Sequence, residues 1–153
     1  MNFDRAEGLE FGGTNSGVDS SVVAELSDGC RILSIEGHGV SFWANTPRIS
    51  VVLADGQTDH CFFIKVLSDD IGRNMLQGEF QLMKAIYNLL LDFVPKPNAW
   101  GTYQSNPDTH FFLCEYRETA DDMPDPEDFS VQLALLHKNS ESHTGKFGFH
   151  ITQ

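Results

Sequence analysis

Basic residues are scarce in this sequence. Lys and Arg number 10 against 22 Asp and Glu, for a formal net charge of −12 over 153 residues. Neutralising a phosphate backbone needs clustered Lys and Arg, so nucleic acid and anionic membranes are excluded as partners. A nucleotide is not excluded, because one Lys and a glycine-rich turn can hold phosphates locally. Cysteine is scarce too. Cys30, Cys61 and Cys114 are widely spaced, and none belongs to a CxxC or CxxH cluster, which argues against a disulfide framework or a zinc site. No signal core precedes the first glycines, and no apolar run reaches membrane-spanning length. A reduced, soluble, cytoplasmic protein is expected. With 41% apolar and 21% charged residues the chain is globular, and its length suits one domain.

Periodicity orders the elements. Residues 1–29 are rich in Gly, Ser, Asn and Asp and read as a mobile arm, with a short helix in "VDSSVVAEL" capped by Asp19 or Ser20. "CRILSIEG", "NTPRISVVLADG" and "DHCFFIKVL" read as three strands, the second closed by an Asp-Gly turn. The apolar residues of the third fall on both faces, which predicts cover on both sides. The period then changes. Leu76, Phe80, Met83, Tyr87, Leu90 and Val94 are spaced 4, 3, 4, 3 and 4, the stripe of a long amphipathic helix over about residues 71–93, ended by "PKP". "NAWGTYQ" and "THFFLCEYR" predict two more strands. Asp125 and Pro126 open a last helix, "FSVQLALLHKNS". The order β-β-β-α-β-β-α predicts an α+β domain, a five-stranded antiparallel sheet with the long helix packed across one face.

Four pieces carry chemistry when read together. In "GHGVSF", the small residues Gly37, Gly39 and Ser41 let backbone amides approach a phosphate, although alone the segment reads as a hairpin. Lys65 stands in an apolar strand, where it either snorkels at an edge or faces a cleft. Glu79 rides beside the helix stripe, near the sheet or in solvent. The two lie 14 residues apart, a loop and two helical turns. A lysine on the third strand and a glutamate on the next helix are the arrangement of the protein-kinase-like fold, where the pair holds the lysine against the nucleotide phosphates. In that fold the fifth strand, here "FFLCEYRE", runs into the hinge. Cys114 would then be the gatekeeper, and the backbone of Glu115 and Arg117 would face the adenine edge.

The sequence resembles the fructosamine kinase (ketosamine 3-kinase, protein-ribulosamine 3-kinase) family, particularly its fungal members. The likeness is carried by "SIEGHGVSFWANTPRI", "FFIKV", "MLQGEFQLMKAI", "PKPNAWGTY", "DTHFFLCEY", "LALLH" and "GKFGFH", in the family's order, over roughly residues 30 to 153. It implies a kinase-like N-lobe over residues 30–117. It further implies that residues 118–153 hold the linker, first helix and start of a second lobe. By the same resemblance the family enzyme uses Mg-ATP to phosphorylate the sugar 3-hydroxyl of ketosamines on glycated protein, which repairs glycation. Phe63, two before Lys65, replaces the small residue of protein kinases, and "GHGVSF" lacks their third glycine. Both features fit the branch acting on sugars and small molecules.

The family's catalytic loop has no counterpart here. No His is followed two places later by Asp, and beyond Asp128 the only carboxylate is Glu141. The run Asp121, Asp122, Asp125, Glu127 and Asp128 reads as a solvated face and helix cap rather than a metal site. His137 reads as a lobe-boundary residue rather than a general base. No catalytic or metal-binding residue is therefore assigned. The tail "GKFGFHITQ" resembles the crossing into the catalytic lobe, so a truncated and inactive kinase lobe is expected, associating through its exposed lobe interface. Two further readings stay open: a non-catalytic nucleotide-binding or docking module, and a fragment of another sugar or aminoglycoside phosphotransferase.

Overall fold

The computed structural model describes residues 18–26, 29–37, 47–52, 59–142 and 145. Its elements are helix α1 (Ser20–Ala24), strands β1 (Arg31–Gly37), β2 (Pro47–Val52) and β3 (Asp59–Ser68), helix α2 (Asp69–Leu89), strands β4 (Pro97–Thr102) and β5 (Thr109–Glu115), and helix α3 (Pro126–Asn139). The five strands form one sheet in the order β1-β2-β3-β5-β4, with every neighbouring pair antiparallel. The expected α+β architecture is present.

The pleat sorts the side chains into two clusters. On one face Ile49, Val51, Phe62, Ile64, Val66, Ala99, Phe111 and Leu113 are buried together with Val18, Val22 and Leu26 of the α1 segment. On the other, Phe112 and Cys114 pack with Leu76 of α2, bordered by Phe63, Leu67, Phe80 and Met83. Strand β5 lies between the two clusters and is buried from Thr109 through Cys114. The α2 stripe is thus half right: Leu76, Phe80 and Met83 face the sheet. The junction is tight, since a Cβ on Gly72 would stand 2.7 Å from Leu67 Cβ.

Two boundaries depart from the sequence reading. Helix α2 stops at Leu89 rather than near residue 93, so Leu90 and Val94 are not helical. Asp92 follows in the left-handed region with φ 67°. Its carbonyl and carboxylate accept from Arg117 Nη1 and Nη2 at 2.6 and 3.3 Å, so a tertiary contact holds the turn before Pro95 is reached. The second departure is the segment 18–26, read as part of a mobile arm. It is docked on the sheet, with Val22 fully buried.

Asp19 makes that docking specific. Its carboxylate caps α1 through Ser21 N and accepts from Ser21 Oγ, Gln104 N, Ser105 N and Ser105 Oγ. Burial alone raises a carboxyl group's pKa, but here the bonds from Ser105, Ser21 and Gln104 outweigh burial and hold Asp19 well below the usual carboxylate range. A carboxyl depressed in the folded state contributes stability that is fully present above its unfolded value, near pH 4, and is lost as pH falls below it. Urea midpoints measured from pH 7 to 3 are therefore expected to fall more steeply for the wild type than for Asp19→Asn. Parallel curves would show that the carboxylate is not the anchor.

Candidate functional site

Lys65 sits on β3 directly opposite Phe112 of β5, on the face covered by α2. One turn of α2 beyond Leu76, Glu79 shares the sheet-facing side with Phe80 and Met83. The buried stripe therefore carries the carboxylate to the strand. Lys65 Nζ donates to Glu79 Oε1 at 2.9 Å and Oε2 at 2.8 Å, a symmetric two-oxygen contact. Phe80 meets Phe112 edge-on beneath the pair, with ring centroids 6.3 Å apart and planes at 69°. The side chains keep 27% and 36% of their exposure. A pair that open contributes at most about 1 kcal/mol to stability. What it does is fix an ammonium group at a defined point while leaving it reachable by solute.

The other expected site residues fall into three groups. Cys114 is buried against Leu76 and Phe112, opposite Phe63 on β3. Burial pushes its thiol up to about 12, so it is a protonated packing group rather than a nucleophile. Glu115 and Arg117 bind each other, with Arg117 Nε donating to Glu115 Oε2 at 3.2 Å. That carboxylate also accepts from Lys96 N at 3.2 Å, and Arg117 reaches Asp92. The chain leaving β5 is thereby tied to the α2–β4 turn. Gly37 ends β1 opposite Pro47. Gly39 and Ser41 lie outside the described residues.

Sequence reasoning missed Arg48. It lies opposite Phe63 and so shares the face of Lys65. Its Nη2 donates to Cys61 Sγ at 3.1 Å, and its guanidinium carbon stands 4.5 Å from the centre of the Tyr116 ring. A lone Arg between the buried Ile49 and the fixed strand end was the available signal. His110 was missed as well. It is buried, its Nδ1 meets Thr102 Oγ1 at 2.9 Å, and burial pushes its imidazole pKa down.

Helix α3 begins as expected, with Asp125 accepting from Glu127 N and Asp128 N and Pro126 in the first turn. None of its residues is buried, and Phe129, Val131 and Leu135 are exposed. Phe129 stacks on Phe93 at 6.3 Å. Exposed His137 lies in its last turn. Among the described residues there is no group of three or more His, Cys, Asp or Glu placed to hold a metal ion, and no helix is long and apolar enough to cross a membrane.

A five-stranded antiparallel sheet, one helix across it, and a strand lysine paired with a helix glutamate are the hallmarks of the N-terminal lobe of a protein-kinase-like phosphotransferase. The fructosamine kinase family model matches residues 44–153, and the chain belongs to the fructosamine kinase family. No curated protein matches the chain significantly.

Proposed function

We propose that this chain forms the nucleotide-anchoring lobe of an ATP-dependent ketosamine 3-kinase, acting on sugar adducts of glycated protein. The observation that carries the reading is the two-oxygen Lys65–Glu79 contact, which fixes a partly exposed cation on the sheet face. That donor chemistry fits a polyphosphate. Lys65 would meet the phosphates and Glu79 would hold it in place. The backbone of Glu115 and Arg117 would face the base, with Cys114 closing the back of the pocket. Gly37, Gly39 and Ser41 would cover the phosphates. Bound Mg-ATP supplies the phosphoryl group. A second lobe carrying the carboxylate that orients the acceptor hydroxyl would meet α3 at its exposed Phe129, Val131 and Leu135.

The exposed α3 face also favours a second reading, a docking module without catalysis of its own. Ligand-observed NMR separates nucleotide anchoring from docking alone. ATP is expected to bind with a dissociation constant of about 1 mM. Lys65→Met should weaken it about tenfold, the loss of one charge-assisted contact. Adenosine, which has no phosphate, should be indifferent to that substitution. Equal ATP affinity in wild type and Lys65→Met would remove the basis of the proposal.

A further inference from the structure

We propose that Arg48, resting against Tyr116 and Cys61, is the residue that stacks on the base of the bound nucleotide. This rests on the nucleotide reading above and adds to it a base-recognition element outside the hinge backbone. The register places it. Arg48 faces Phe63, and Phe63 lies two residues from Lys65 on the same strand and the same face. That is about 7 Å along the strand, roughly the reach of a ribose between base and phosphate. Tyr116 N donates to Cys61 O at 3.0 Å, which continues the β3–β5 register and sets Tyr116 opposite Cys61 on this face. Arg48, Cys61, Phe63 and Tyr116 thus form one strip along β2, β3 and the exit of β5, next to the Lys65 ammonium.

The way Arg48 is held distinguishes a ligand contact from a strut. A structural arginine in a half-buried position is normally satisfied by carboxylates in a forked geometry. Glu36 lies directly opposite Arg48 on β1 and acts on it through space, but among the described residues no carboxylate forms an ion pair with Arg48. One N–H goes to a thiol, a weak acceptor, and Nε is buried with no hydrogen-bond partner. The guanidinium plane is oriented by the Tyr116 ring but not locked by strong bonds. A planar cation in that state can slide onto a purine face, which attracts it as the tyrosine ring does. Lysine could not substitute, because an ammonium group has no plane to stack.

The test uses three probes with the 153-residue chain: adenosine, inorganic tripolyphosphate and ATP, each titrated by ligand-observed NMR. Arg48→Met is expected to weaken adenosine and ATP about fivefold and leave tripolyphosphate unchanged. Arg48→Lys, which keeps the charge, should lose adenosine affinity to the same degree. It also guards against a Met variant that folds poorly, with the thermal midpoint as the check. A merely structural role would lower the midpoint and weaken tripolyphosphate alongside adenosine, and that pattern overturns the proposal. Unchanged adenosine affinity in both Arg48 variants, with ATP still sensitive to Lys65→Met, overturns it while sparing the nucleotide reading. A wild type that binds neither adenosine nor ATP overturns both.

Discussion

Phe112→Ala is expected to destabilise the fold by about 3–5 kcal/mol, the cost of removing a fully packed ring and leaving a cavity. Phe112 is 1% exposed. It lies on β5 between Lys65 of β3 and Trp100 of β4, and it packs with Leu76 and Cys114 where α2 crosses the sheet. Few substitutes can fill that space, since Phe80 already meets it edge-on from the helix. Domains of this size hold only about 5–15 kcal/mol in total, so the substitution takes a large share of the stability. The thermal midpoint should fall by roughly 10 °C. Phe112→Leu, which keeps more volume, should cost less than half as much. A loss within about 1 kcal/mol for the alanine variant would mean that α2 is not held on the sheet by this cluster, and the placement of Glu79 would lose its physical cause.

The contrast between α2 and its surroundings shows what local sequence carries. The spacing of Leu76, Phe80 and Met83 announces the helix and its buried face, because a 3.6-residue period is a property of neighbouring residues. The same spacing continues through Tyr87, Leu90 and Val94 and overshoots, since the helix ends at Leu89. Just beyond that end, Arg117 bonds Asp92 from 25 residues away and holds the turn that follows. No window of local pattern contains that contact. Asp19 is a sharper case. Its value as a cap is local and legible, but the donors at Gln104 and Ser105 that fix α1 to the sheet lie 85 and 86 residues on. A Gly- and Ser-rich neighbourhood reads as an arm for that reason. Lys65 was legible because it broke an apolar strand, and Glu79 because it flanks the helix stripe 14 residues further on. Arg48 broke the pattern of β2 in the same way, yet its meaning depends on Tyr116, which only the sheet register brings near.

No phosphorylation of fructosyl-lysine above background is expected from this 153-residue chain alone, even with saturating Mg-ATP. The warrant is electrostatic. Phosphoryl transfer spreads charge over the moving group, and metal ions held by carboxylates must neutralise it while another carboxylate orients the attacking hydroxyl. Among the described residues no group of three or more His, Cys, Asp or Glu is placed to hold a metal ion, and several carboxylates beside the sheet are already engaged. Glu79 is engaged with Lys65, Glu115 with Lys96 and Arg117, and Asp19 with α1 and the β4–β5 turn. Asp125 caps α3, and the acidic residues around it are exposed and form no cluster suited to a metal. Lys65 can hold phosphates, but holding substrate and transition state equally well does not accelerate the chemical step. A coupled ATP-consumption assay with a Lys65→Met control decides the matter. Rates should match the buffer blank for both proteins, while ATP binding measured in parallel still separates them. Turnover well above the blank that vanishes in Lys65→Met would show that a carboxylate of this chain serves the acceptor, and Glu141, the last one in the sequence, would be the first to replace with glutamine.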